Sequence, residues 1–148
     1  MKGLRIVTLQ EEHIPAIMEI EKVSNSSPWS ERSFRNELDH PHGIFLVALA
    51  EGKVVGYGGT WIVIDEAHIT TVAVDPEYRR KGIGNKIMAA LLEEAEKKGA
   101  TCSTLEVRAG NEPAIRLYED LGYVRSATRK RYYPDNKEDA LVMWRYGA

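Results

Sequence analysis

The 148-residue chain has little cysteine, no long apolar run and no large excess of charge of either sign. Its one cysteine, Cys102, cannot form a disulfide within the chain, which is typical of proteins in a reducing compartment. The longest uncharged apolar run, from Val54 to Ile64, is much shorter than the ~20 residues that cross a bilayer. The residues after Met1 do not resemble a secretion signal. We therefore expect a soluble cytoplasmic protein that binds no membrane.

The charged residues of the chain are nearly balanced. Lys and Arg together number 20 and Asp and Glu 22, which gives a formal net charge of -2. This balance provides no general attraction to nucleic acid, so no direct nucleic-acid binding is expected and any anion site must be a local patch. Hydrophobic residues make up 43% of the chain, as in a globular protein. The length predicts a single domain over residues 1–148.

Hydrophobic periodicity and turn residues divide the chain into helices and strands. The spacing of Ile14, Ile17 and Met18 predicts a helix over residues 13–23, and Ser30 is placed to cap a second, short helix. Two further helices are predicted, one after residue 84 and one from residue 113. The predicted strands cover residues 4–9, 44–50, 54–64, 67–74, 101–108, 123–132 and 139–146.

The order of these elements indicates the fold class. Hairpins come first, one strand–helix–strand unit follows, and antiparallel strands end the chain. A strand–helix–strand unit of this length favours a right-handed crossover between two parallel strands. We predict an α+β fold with a mixed, mostly antiparallel sheet of about six or seven strands, one central parallel crossover and about four helices. The pair Gly58-Gly59 predicts a bulge or a close backbone approach.

The strongest local motif is Arg79-x-x-Gly82-x-Gly84, which lies between a strand and a helix. Glycines let a ligand approach the backbone, and the free N–H groups of a helix start bind phosphate. A mononucleotide P-loop is excluded because no Gly-Lys-Ser or Gly-Lys-Thr string occurs. A dinucleotide fingerprint is weakened because Ile87 stands where the third glycine belongs. An exposed basic loop without a ligand remains the alternative.

A second group of residues could transfer protons. Alternation along the following strand points Leu105 and Val107 to one face and Glu106 to the other. Near a phosphate site, Glu106 could act as a general base, but a salt bridge with Arg108 or another neighbour is an equally ordinary role. Tyr118 on the next helix could donate a proton or could simply pack. Residue spacing alone leaves both alternatives open.

These motifs together resemble the GNAT superfamily of acetyl-CoA-dependent N-acetyltransferases. The resemblance covers about residues 67–125 and lies in R-x-x-G-x-G at 79–84, L-E-V-R at 105–108 and N-x-x-A-x-x-L-Y-x-x-x-G-Y at 111–123. Within the superfamily, P-W-S at 28–30, Y-Y-P at 132–134 and E-D-A at 138–140 are similar to ribosomal-protein-alanine N-acetyltransferases. The chain departs from the pattern at Thr70-Thr71, where a bulkier residue followed by Asn is expected, and at the polar segment 24–27.

The resemblance implies a role for each matching residue. Glu106 would be the general base and Tyr118 the general acid. Tyr132 and Tyr133 would line the peptide site, and no metal would take part. The acetyl-CoA contacts would come from the backbone of one strand, from the glycine loop and from one asparagine: Val72, Ala73, Val74, Arg79, Arg80, Lys81, Gly82, Ile83, Gly84 and Asn111.

The resemblance predicts transfer of an acetyl group from acetyl-CoA to the N-terminal α-amine of a protein, with a ribosomal protein as the expected partner. Two other functions remain open on the sequence. One is acetylation of a small-molecule amine, which the Tyr132-Tyr133 segment disfavours. The other is a non-catalytic acyl-CoA-binding module, which would need the glycine loop but neither Glu106 nor Tyr118.

Overall fold

A computed structural model describes residues 3–147, which form seven strands and four α-helices within that range. The strands are β1 (Leu4–Thr8), β2 (Gly43–Ala50), β3 (Lys53–Val63), β4 (Glu66–Val74), β5 (Cys102–Arg108), β6 (Val124–Arg129) and β7 (Ala140–Tyr146). The helices are α1 (Ile14–Ser24), α2 (Glu31–Asn36), α3 (Ile83–Lys97) and α4 (Glu112–Asp120). No helix in residues 3–147 is long and apolar enough to cross a membrane.

The seven strands form one sheet in the order β1-β2-β3-β4-β5-β7-β6. Neighbouring strands are antiparallel except β4 and β5, which α3 connects as a parallel pair. The predicted α+β class, mixed sheet and single parallel crossover are therefore confirmed. The last strand, β7, lies between β5 and β6, so β5 pairs with β7 rather than with β6, which follows it in the chain.

The parallel pair separates partway along its length. β4 and β5 pair from Glu66–Cys102 to His68–Thr104, after which β4 runs on to Val74 and β5 to Arg108 as two diverging strands. An opening through the sheet thus lies between the carboxyl-terminal halves of these strands. We call it the β4–β5 gap.

The two faces of the sheet carry separate apolar clusters. One cluster joins α3 and α4 to the sheet and includes Ile87, Leu91 and Leu105, while the other joins α1 and α2 to it and includes Ile17 and Phe34. Alternation along each strand sends successive side chains to opposite faces. The β4–β5 gap therefore connects two faces that the sheet otherwise keeps apart.

Local sequence explains most element boundaries. Ser30 caps α2 by accepting a hydrogen bond from the Ser33 backbone N–H at 3.1 Å, as predicted. Gly58 lets α3 approach β3, because a Cβ there would lie 2.7 Å from Ile87 Cγ2. A bulge follows at Gly59, so the predicted close approach and the predicted bulge are both present. The predicted strand over residues 123–132 is too long, because β6 ends at Arg129 and a loop begins there.

Candidate active site

A cavity of about 670 Å³ opens on the face of the sheet covered by α1 and α2, beside the β4–β5 gap. Five aromatic residues line it: all three tryptophans of the chain together with Tyr132 and Tyr133. Polar groups reach it from β4 and β5, namely His68, Thr104 and Glu106. An apolar pocket with a few convergent polar side chains is the usual form of a ligand site. The tyrosines predicted to line a peptide site do line this cavity.

Glu106 is the carboxylate of the cavity. It projects from β5 on the opposite side from Leu105 and Val107, which are buried in the α3–α4 cluster. Its Oε2 lies 3.1 Å from the Arg129 guanidinium, and its Oε1 accepts a hydrogen bond from the Tyr132 hydroxyl at 3.5 Å. The salt-bridge partner is thus Arg129 rather than the adjacent Arg108. This arrangement leaves a half-exposed carboxylate at the edge of the gap.

Tyr118 lies on the other face of the sheet. Its ring packs against the apolar cluster of α3 and α4 and meets the ring of Tyr123 edge to face at 5.9 Å. Burial raises the pKa of Tyr118 to about 12, with smaller contributions from Tyr123 and Tyr133. The ring of Tyr118 therefore lies on the α3–α4 face and the carboxylate of Glu106 on the α1–α2 face, while the effect of Tyr133, a cavity residue, on the Tyr118 pKa indicates that the Tyr118 hydroxyl points toward the cavity side. A molecule that reaches both must pass through the β4–β5 gap.

The edge of β4 beside the gap belongs to residues 69–74. Val72, Ala73 and Val74 pair with β3 along one edge and face the gap along the other. Thr70, at the bulge, lines the cavity, and within residues 3–147 its hydroxyl is buried without a hydrogen-bond partner. Strand N–H groups that are not used in the sheet can bind an extended ligand or a carbonyl oxygen.

The glycine loop leads from β4 to the first turn of α3. Gly82 is the N-cap of α3 with φ +79°, and Arg80 has φ +63°. The loop therefore has left-handed backbone at two positions, a conformation that glycine adopts without strain. Gly84 differs, because a Cβ there would make only ordinary contacts, 3.6 Å from Leu117 and 3.7 Å from Val74. The protein's own packing thus does not require glycine at position 84, whereas close approach of a ligand would.

Two predicted cofactor contacts also bind other parts of the protein. Arg79 donates to the Val74 carbonyl at 3.2 Å and to the Ser24 hydroxyl at 3.4 Å, while Arg80 and Lys81 are exposed. Asn111 is the N-cap of α4, and its side-chain oxygen accepts from the Ala114 N–H at 3.3 Å. The exposed amides at the start of α3, next to these cations, remain the part of the loop best suited to bind a diphosphate.

One wall of the cavity is the loop between β6 and β7, residues 130–139. Arg108 holds this loop by bonding Asp135 at 3.0 and 3.1 Å and by lying 3.9 Å above the Tyr133 ring. Glu138 accepts from the Gly110 N–H at 2.7 Å. These contacts lower the pKa of Asp135, chiefly through Ser26 and then Arg108, and that of Glu138, chiefly through Gly110.

The opposite wall is the loop between α1 and α2, residues 25–30. Trp29 lines the cavity from this loop and packs against Phe34, with the ring centroids 5.2 Å apart and the ring planes tilted by 33°. Ser26 donates to Asp135 at 2.6 Å and accepts from Arg108 at 3.1 Å. The two loops are therefore joined to each other above the cavity.

Sequence reasoning missed several cavity residues. Trp61, His68, Arg129 and Trp144 all lie on strands at positions whose side chains point to the α1–α2 face. Alternation from Glu106 across the β5–β7 register would have identified Trp144, but only if β7 had been known to pair with β5. Trp61 and His68 face each other in the β3–β4 register.

Comparison with known proteins identifies the family. Residues 14–123 match the acetyltransferase (GNAT) family model. The chain is 39% identical over 140 residues to the ribosomal protein bS18-alanine N-acetyltransferase of Escherichia coli (strain K12), covering 93% of this chain and 94% of that protein.

Solved structures share the fold over nearly the whole chain. The crystal structure of the Escherichia coli ribosomal-protein-S18-alanine N-acetyltransferase matches with a TM-score of 0.89 and 35% identity, covering 98% of this chain and 94% of the other. The NatC complex bound to Gag peptide and CoA shares the fold with a TM-score of 0.88 at 21% identity, covering 99% of each chain. This chain therefore belongs to the GNAT family of acetyltransferases.

Proposed function

We propose that this chain transfers an acetyl group from acetyl-CoA to the N-terminal α-amine of a protein, and that its substrate is a ribosomal protein. The observation that carries the proposal is the position of Glu106, a half-exposed carboxylate in an aromatic-lined cavity at the edge of the β4–β5 gap. Family membership supports acetyl transfer, and the activity of the Escherichia coli relative supports a ribosomal-protein substrate.

The α3–α4 face of the sheet has the groups that acetyl-CoA requires. Gly82, Ile83 and Gly84 present amides at the positive end of α3, next to Arg80 and Lys81. The edge of β4 at residues 72–74 can bind an extended chain, and Asn111 at the start of α4 is a further proposed contact. When bound, acetyl-CoA supplies an activated thioester, and these residues direct it toward the gap.

The cavity face receives the peptide in this proposal. An amine attacks a thioester only when neutral, and an α-amine with an ordinary pKa of ~7.7–8.0 loses its proton far more easily than a lysine at ~10.4. Glu106 takes that proton directly or through one water. Tyr132 and Tyr133 form the wall beside it, so an extended N-terminus fits between the two loops.

The remaining groups act on the tetrahedral centre and the leaving sulfur. A free N–H of β4 near Val72 to Val74 stabilises the oxyanion. Tyr118 remains protonated because burial raises its pKa to about 12, and it donates its proton to the departing thiolate. Direct transfer of this kind needs no covalent enzyme intermediate, so Cys102 has no part in it.

The test is an acetylation assay with a panel of acceptors. Purified protein is incubated with acetyl-CoA and peptides in matched pairs, one with a free and one with a blocked N-terminus, and with free lysine and polyamines. Released CoA thiol and acetylated products are measured. We expect labelling only of free N-termini, with ribosomal-protein N-termini among the best substrates. Labelling of polyamines alone would instead show a small-molecule acetyltransferase, and tight acetyl-CoA binding without turnover would show a non-catalytic module.

A further inference from the structure

Glu21 is a buried carboxylate within the apolar face of α1. Its side chain is 1% exposed and lies among Ile17, Ile20 and the residues that join α1 to the sheet. Placing an ionised carboxylate in such surroundings is costly unless hydrogen bonds satisfy its oxygens. A neutral apolar residue at this position would complete the cluster without that cost, so the carboxylate calls for an explanation.

The hydrogen bonds of Glu21 connect the sheet to the α1–α2 loop. Its Oε1 accepts from the hydroxyl of Tyr57, a fully buried residue of β3. Its Oε2 accepts from the Trp29 backbone N–H at 2.9 Å and from the Asn25 side-chain amide at 3.1 Å. The donors to Oε2 both belong to the loop, one near each of its ends. A carboxylate provides the two acceptor atoms that this link requires.

The loop that Glu21 holds is a wall of the cavity. Trp29 lines the cavity, and its ring rests on Phe34, which in turn contacts Tyr57. The segment from residue 25 to residue 30 contains Pro28 and no helix or strand, so few regular backbone hydrogen bonds fix its height above the sheet. The bond from the Trp29 N–H to Glu21 therefore fixes the position of the Trp29 indole in the cavity wall.

We propose that Glu21 is a positioning residue for the acceptor peptide: by holding the Trp29 backbone and Asn25, it sets the wall against which the first residues of the peptide bind. This role rests on the proposed function. Glu21 is fully covered and acts only through the loop. Its loss should therefore weaken peptide binding while acetyl-CoA, which approaches from the other face of the sheet, is bound as before.

The experiment compares three substitutions by steady-state kinetics and thermal unfolding. Glu21→Ala removes both links and should raise the peptide KM about tenfold, the scale of a lost hydrogen bond to a charged group, with the acetyl-CoA KM within about twofold. Glu21→Gln should restore most of the peptide KM, because its amide oxygen can accept from Trp29 while its NH₂ donates to Tyr57. Asn25→Ala removes the amide donor to Glu21 Oε2, together with the bond in which Asn25 Oδ1 accepts from the Ser27 N–H at 3.0 Å. It should raise the peptide KM about threefold.

Tyr57→Phe is the matched structural control. It removes the donor to Oε1 but leaves the Trp29 bond, so it should lower the Tm with the peptide KM near that of the parent protein. If Glu21→Ala does not fold, Asn25→Ala decides the question: a higher peptide KM with an unchanged acetyl-CoA KM supports the positioning role.

A lower Tm with an unchanged peptide KM in both Glu21→Ala and Asn25→Ala would reduce Glu21 to a packing role and overturn the inference. A parent protein that acetylates no N-terminal peptide would contradict the proposed function itself, and with it this role. Whether the parent protein acetylates N-terminal peptides therefore distinguishes the two failures.

Discussion

The two faces of the sheet differ in how they present polar groups at the β4–β5 gap. On the α3–α4 face, the groups available to a ligand are backbone amides at the start of α3 and the hydroxyl of the partly buried Tyr118. On the α1–α2 face, a roomy aromatic cavity surrounds the half-exposed Glu106. The first face suits a long anionic ligand held by its diphosphate, and the second suits a cationic chain end.

In the proposed function, each substrate has a face of its own and only the reacting atoms share the gap. The two groups proposed to transfer protons also lie in different environments. Glu106 lies next to the cation Arg129, whereas Tyr118 packs among apolar residues, and burial raises the pKa of its phenol to about 12.

The largest effect is expected at the group nearest the gap. Glu106→Gln keeps the shape of the side chain but removes the proton acceptor, so kcat should fall ~100-fold or more, the usual scale of general base catalysis. The KM for acetyl-CoA should change little, since the α3–α4 face is not altered. Steady-state kinetics from pH 6 to 10 would measure this, with the exposed Glu96→Gln as control. Normal kcat at every pH would remove Glu106 from the mechanism.

Tyr118→Phe should lower kcat ~10-fold or more, because the thiolate would leave without a proton donor. Tyr123→Phe is the matched control: it removes a buried hydroxyl that lies 2.6 Å from Ser103 Oγ, so it should lower the Tm and spare kcat. If Tyr118→Phe changes only the KM for acetyl-CoA, Tyr118 is a packing residue on the cofactor face.

Gly84, on the α3–α4 face, tests whether that face binds the cofactor. Gly84→Ala should raise the acetyl-CoA KM about tenfold, the scale of one lost hydrogen bond to a charged group, because the added Cβ would hold the diphosphate away from the amides; the peptide KM should not change. The Tm should rise slightly, because alanine favours a helix and its Cβ meets Leu117 at an ordinary 3.6 Å. Gly82→Ala, at φ +79°, should instead lower the Tm. An unchanged acetyl-CoA KM in Gly84→Ala would contradict the proposed cofactor site.

Alkaline pH should reveal the buried environment of Tyr118. Its folded-state pKa of about 12 is above the ordinary value of 10.0. The stability that this tyrosine contributes is therefore complete below pH 10 and is lost as the pH rises through 12. At pH 10.5 the loss from one such group is roughly 1 kcal/mol. In denaturant unfolding, the free energy of unfolding should fall less steeply with rising pH in Tyr118→Phe than in the parent protein. Equal falls in the two proteins would show that the phenol is exposed to water.

Much of the fold follows from local pattern. The apolar stripe of α3, the Ser30 cap and the turn at Glu51-Gly52 are each decided by a few consecutive residues, and all are present in the structure. The strand alternation that sends Glu106 away from Leu105 is equally local. These features were predictable because the responsible forces act within one element.

The site depends on pairings that local pattern does not contain. The insertion of β7 between β5 and β6 brings Trp144 beside Thr104, and the turn of β6 brings Arg129 to Glu106. The distribution of Glu106 and Tyr118 to opposite faces follows from the packing of α4 on the sheet, which residue spacing does not reveal. Long-range strand order is thus the information about the site that residue spacing could not supply.

A crystal structure of the protein with a CoA–peptide conjugate, in which one acetyl bridge joins the sulfur to the peptide nitrogen, tests the two-face account most directly. We predict the diphosphate at the amides of residues 82–84, the bridge in the β4–β5 gap, and the peptide nitrogen within direct or one-water reach of Glu106. A peptide lying on the α3–α4 face, or a bridge remote from Glu106, would contradict it.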